Sequence, residues 1–95
     1  MKFKRLRGMK GSTLVFKINL GTTERMQFRR VIRAVLSKKE GIPSGRLTTE
    51  WDGYAVTCTL SASTSGSLSG TYKYEVAVET NTGVTTLQYG YLEIL

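Results

Sequence analysis

The sequence predicts an all-β protein folded as an antiparallel β-sandwich of six or seven strands. Two features carry this: strict apolar–polar alternation in three separate stretches, the longest being "TYKYEVAVET", and turn-forming steps such as Asp52-Gly53 and "TNTG" between them. Length fixes the scale. At 95 residues the chain makes one domain, and a chain of that size buries only roughly 60–65% of its unfolded surface, so the core is small.

Residues 1–11, "MKFKRLRGMKG", are basic and read either as an N-terminal arm that orders against a neighbour or as a first strand; residues 12–95 form the sandwich domain. Lys2, Lys4, Arg5, Arg7 and Lys10 are candidate contacts to an acidic partner surface. In "STLVFKINL", Leu14, Phe16, Ile18 and Leu20 share one face and Thr13, Val15, Lys17 and Asn19 the other, a half-buried strand.

The segment "ERMQFRRVIRAVLSKKEG" supports two readings. At helical period, Met26 or Phe28, Val31, Ile32, Val35 and Leu36 form an apolar stripe, and residues 25–39 would be a helix in an α+β fold. At period two, Phe28, Ile32, Ala34 and Leu36 share a strand face on which only Arg30 is out of place. Arg29, Arg30 and Arg33 are candidate partner contacts on either reading. With Arg25, Lys38 and Lys39 they would contact phosphates if the chain bound nucleic acid.

Asp52 and Gly53 read as a two-residue type I′ turn joining a strand from Arg46 to Trp51 with one from Tyr54, on which Val56, Cys58 and Leu60 point inward. Cys58 is then a small core residue rather than a nucleophile. "SASTSGSLSG" is an ordered connector, with one helical turn from Ser61 returning Thr64 and Leu68 to the sheet. Next comes a long strand with Tyr72, Tyr74, Val76 and Val78 on one face and Lys73, Glu75, Ala77 and Glu79 on the other, the glutamates forming a solvated stripe. Asn81 and Gly83 supply a hairpin loop of three to five residues. In the return strand Gly90 interrupts the alternation, which predicts a bulge at Tyr89-Gly90 that switches the register.

Charge divides the chain. Residues 1–46 carry thirteen Lys or Arg against two acids, +11, while residues 47–95 carry one Lys against five acids, −4. Three readings stand: a cationic surface meets an anionic partner, the halves complement one another between copies or neighbouring subunits, or the charges are solvated outward-facing side chains. A chain with one cysteine forms no internal disulfide, and a chain with no histidine lacks the commonest general base and metal ligand. No phosphate-binding loop or calcium loop is present, so the expectation is no cofactor, no metal and no enzymatic activity. The N-terminus lacks a signal-peptide pattern, and no apolar run approaches the roughly 20 residues of a membrane span, so a soluble protein without a membrane partner is expected. Among Trp51, Tyr54, Tyr72, Tyr74, Tyr89 and Tyr91, it is Tyr91, opposite in parity to Leu92 and Ile94, that is the best exposed candidate for an interface.

The closing segment has the pattern G-x-Y-x-Y-x-V, a short turn with Gly, a Thr- and Leu-containing return, then Gly and a terminal strand, on Gly70, Tyr72, Tyr74, Val76, Gly83, Leu87, Gly90 and Ile94. With the order of elements over residues 6–95, it resembles small immunoglobulin-like β-sandwich proteins encoded among tailed-bacteriophage virion genes, including the N-terminal module of baseplate upper proteins. The resemblance implies an immunoglobulin-like fold in which "VIRAVLSK" is a strand. It also implies a structural protein of the virion that decorates or joins head, connector or tail. Its partners would be other virion proteins, with several copies per particle, and nucleic acid would be the alternative partner.

Overall fold

The structure, a computed structural model, describes residues 2–38 and 42–95 and is an all-β sandwich of two sheets. Its strands are β1 (Lys2–Phe3), β2 (Leu6–Gly8), β3 (Leu14–Asn19), β4 (Phe28–Ser37), β5 (Gly45–Arg46), β6 (Thr48–Trp51), β7 (Ala55–Leu60), β8 (Gly70–Thr80) and β9 (Gly83–Ile94). Helix α1 (Thr22–Gln27) precedes β4 and α2 (Ala62–Gly66) precedes β8. One sheet runs β1–β9–β8–β4–β5, with β2 also on β9; the other runs β3–β7–β6.

These nine segments are seven strands. β1 and β2 keep one register along β9, from Lys2 opposite Gln88 to Gly8 opposite Ile94. They are one edge strand interrupted at Lys4-Arg5, where the Lys4 carbonyl turns inward to accept from the Tyr74 hydroxyl at 2.7 Å. Likewise β5 and β6 are one extended segment that leaves β4 and joins β7, crossing between the sheets at buried Leu47. The basic N-terminus is therefore the first strand. Its pairing with β9 is parallel, a departure from the antiparallel expectation.

The core lies between the sheets. Ile18, Val56, Cys58 and Leu60 face Leu36, Tyr72, Tyr74, Val76, Val78, Leu92 and Ile94. Phe16 meets Tyr74 edge-on at 5.8 Å, and Phe28 stacks on Trp51 at 4.1 Å, tying β4 to β6. Leu68 is buried behind α2, whose N-cap Ser61 hydroxyl accepts from the Thr64 N–H, as the connector reading anticipated.

The ambiguous segment is both helix and strand. Only residues up to Gln27 are helical, with the Glu24 carboxylate accepting from the Gly21 N–H at 2.7 Å; from Phe28 onward the chain is β4. Residues 25–39 are thus not one helix, and Lys39 lies outside the described residues. Two register shifts against β8 leave Arg29 and Ile32 without a partner of their own. Each bulge resets the alternation, so Phe28, Val31, Ala34 and Leu36 pack inward and Ile32 does not.

Three turn expectations are corrected. Asp52-Gly53 is not a type I′ turn: that geometry needs positive φ at two successive residues, and among the described residues no non-glycine has it. Gly53 alone adopts φ +96°, and the Asp52 carboxylate accepts from the Tyr54 and Ala55 N–H groups, both at 2.8 Å. These bonds hold its pKa below the usual carboxylate value. The β8–β9 loop is shorter than expected, only Asn81 and Thr82 lying between paired Thr80 and Gly83. Gly90 is neither a turn nor a register switch, since it pairs with Tyr74 in unbroken register and the bulge falls at Leu87. What Gly90 provides is space, because a Cβ there would overlap the Lys4 carbonyl of the edge strand.

Candidate functional site

The outer face of the six-stranded sheet holds a groove lined by two of the predicted contact residues, Arg33 and Tyr91. Strand pairing sets a row across five strands: Arg46 on β5, Val35 on β4, Glu75 on β8, Tyr89 on β9 and Phe3 on β1. A second row, Ser37, Lys73 and Tyr91, runs beside it. Between and around them lies an open groove of about 720 Å³, completed by Ile32, Arg33, Ile42 and Pro43.

The aromatic end is a cluster. Phe3 packs edge-on against Tyr89 at 5.3 Å and Tyr91 at 6.0 Å, while the Arg5 guanidinium sits 5.6 Å from the Tyr91 ring centre. Phe3, Tyr89 and Tyr91 remain 48%, 39% and 37% exposed, so three rings lie together at the surface.

The charge asymmetry along the chain becomes pairing within the sheet. Arg33 donates to Glu75 at 2.8 Å, Arg30 pairs with Glu79 at 3.4 Å, and Arg7 pairs with Glu93 at 3.2 Å. Each joins a cation of the first half to an acid of the second across neighbouring strands. The glutamates of β8 are therefore ion-paired, not a free solvated stripe. Ala77, expected outside, is wholly buried in the register between Arg33 and Thr86.

Of the predicted contact residues, Arg5 and Tyr91 come together, and Arg33 lies on the groove's far side. Arg29 bonds Asn81 near the hairpin tip and Arg30 turns to Glu79, so neither joins the basic edge strand, which β8 and β9 separate from β4. Lys2 and Lys4 are exposed along that edge, and Lys10 follows it with its N–H on the Leu95 carbonyl at 2.8 Å. Sequence reasoning missed Phe3, Tyr89, Ile32, Val35, Arg46 and Lys73. The shared parity of Tyr89 and Tyr91 was a usable signal for one of them; the others depend on register.

Cys58 is fully buried, and desolvation pushes its thiol up to about 11, which suppresses the thiolate. Among the described residues no group of three His, Cys, Asp or Glu is placed to hold a metal ion, and no helix is long and apolar enough to cross a membrane.

No protein-family model and no curated protein matches the chain. Among solved structures it is similar to the endo-fucoidan hydrolase MfFcnA4 from glycoside hydrolase family 107, with TM-score 0.63 and 16% identity, over 100% of this chain but 13% of that one. It is also similar to the second immunoglobulin domain of the mouse polymeric immunoglobulin receptor, with TM-score 0.56 and 12% identity, over 99% of this chain and 97% of that one. The first likeness overturns the expectation that the chain is not an enzyme, because this fold occurs within the chain of a hydrolase. Missing histidine was too weak a ground, since glycoside hydrolysis generally runs on two carboxyl groups. At these identities the likenesses establish an immunoglobulin-like fold and leave substrate and activity with those proteins.

Proposed function

We propose that the chain is an attachment module of a tailed-bacteriophage particle, present in several copies, that joins or decorates head, connector or tail through protein–protein contacts. The observation that carries this is how the resemblance residues are used. Tyr72, Tyr74, Val76, Leu87 and Ile94 are core residues of the β8–β9 hairpin, and Gly90 admits the edge strand. The pattern that resembles phage virion modules thus falls on the core of one structural unit. An aromatic outer face flanked by cations suits contact with neighbouring subunits, and many copies multiply a weak single contact.

Mass spectrometry of purified particles from a phage carrying the gene tests the proposal. The protein is expected in a fixed ratio to the major capsid or tail protein; its absence from particles overturns the reading. Binding to nucleic acid has less support, because Arg30 and Arg33 are each engaged by a glutamate. Random-sequence DNA retained at about 50 mM salt and released at about 200 mM would favour that alternative.

A further inference from the structure

We infer that the outer-face groove binds an extended, acidic polypeptide segment of about six residues carrying apolar side chains. This rests on the attachment reading and names the chemistry of the partner. Length follows from the row Arg46, Val35, Glu75, Tyr89 and Phe3, which crosses five adjacent strands. Four inter-strand steps of about 4.8 Å make about 19 Å, the reach of six extended residues at ~3.3 Å each.

Sign follows from the charges. Arg46, Lys73 and Arg33 line the groove and Arg5 stands beside it on Tyr91. Among the described lining residues the single acid is Glu75, and it is already held by Arg33 at 2.8 Å and by the Thr86 hydroxyl at 3.1 Å. The groove therefore presents net positive charge at Arg46 and Lys73, which complements carboxylates.

Class follows from the walls. Ile32, Val35, Ile42 and Pro43 oppose Phe3, Tyr89 and Tyr91, and the described lining contains no Asn, Gln or Asp. Of the planar polar groups in the lining, Arg33 and Glu75 already bond one another and leave Arg46 for sugar hydroxyls, whereas Leu or Phe side chains would exchange water for apolar surface. A peptide that presents carboxylates and apolar side chains together on the face it turns to the groove fits both the walls and the charges.

The test uses fluorescence anisotropy with the full chain and three labelled probes. They are a blocked hexapeptide in which Glu and Leu or Phe share one face of the extended chain, its Lys-for-Glu counterpart, and a sulfated oligosaccharide of similar length. The acidic peptide is expected to bind and to weaken with added salt, the Lys peptide to show no binding, and the oligosaccharide to bind more weakly than the acidic peptide. Tyr89→Ala and the double variant Arg46→Glu/Lys73→Glu are each expected to weaken acidic-peptide binding about tenfold or more. Ile32→Ala serves as an independent wall variant, with thermal unfolding reporting whether each variant folds. The inference is overturned by no binding of the acidic peptide, by equal binding of the Lys peptide, by tighter binding of the oligosaccharide, or by folded variants that bind unchanged. Any of these would leave particle association, read separately by mass spectrometry, intact.

Discussion

The two faces of the six-stranded sheet are built from alternate residues of the same strands, yet they differ sharply in burial and composition. Inward, Val76, Leu36 and Leu92 are 0–1% exposed, and the buried Tyr74 hydroxyl accepts from the Gln88 amide while donating to the Lys4 carbonyl. Outward, Phe3, Tyr89 and Tyr91 keep large surfaces in water, and the charges meet in half-exposed pairs. The inner face carries stability, and the outer face is the one to which the proposed recognition is assigned. Adjacent residues should therefore answer mutation in opposite assays.

The sharpest contrast is Leu92 against Tyr91. Leu92→Ala leaves a cavity in the core and is expected to cost about 2–5 kcal/mol, enough to endanger a domain of this size. Tyr91→Ala, one residue away, should cost under about 1 kcal/mol, its ring being stabilised mainly by Phe3 and Arg5 at the surface. Chemical denaturation of both variants checks this. Equal losses would dissolve the distinction between the faces.

Gly90 lies where the faces meet the edge. Gly90→Ala would drive a methyl into the Lys4 carbonyl, at a residue whose φ is +154°. The edge strand must then detach or shift, losing the Tyr74 to Lys4 bond, at an expected cost of about 2 kcal/mol or more. Hydrogen exchange at the Lys4 amide, which donates to the Tyr89 carbonyl at 2.9 Å, should accelerate in the variant while amides of β7 change less.

The inner face also carries a pH signature. Cys58 titrates at about 11 in the fold against 9.0 for a free thiol, so folding disfavours its thiolate. Its raised pKa makes this contribution to stability full below about pH 9 and progressively lost as pH rises toward about 11, a change of up to about 3 kcal/mol. Denaturation curves across that window should lose part of their slope in Cys58→Ala. An unchanged slope would mean the thiol ionises as readily folded as unfolded.

How much of this could be read beforehand depended on whether a strand kept its period. β3, β7 and the first half of β8 alternate cleanly, and their inward residues were foreseeable from parity alone. β4 was not, because bulges at Arg29 and Ile32 space its inward residues three, three and two apart, close to a helical stripe. Those bulges exist only through pairing with β8, and periodicity within one segment does not contain them. Gly90 failed differently: a glycine in a strand announces a close approach, but its neighbour is Lys4, at the opposite end of the chain. The groove required registers across five strands, so of its aromatic end only Tyr91 was identified.

The smallest expected effect tests the outer face alone. Arg33→Ala removes the shortest ion pair, yet Arg33 and Glu75 are 50% and 36% exposed at the side chain, where water already solvates both charges. Removing it should cost below about 1 kcal/mol and shift the melting temperature by only a few degrees. It also frees the Glu75 carboxylate inside the groove, with the Thr86 hydroxyl as its remaining partner. An acidic peptide should then bind less well, although Arg33 sits at the groove's side. A large loss of stability with unchanged peptide binding would assign this pair to the scaffold and move the boundary between the two faces.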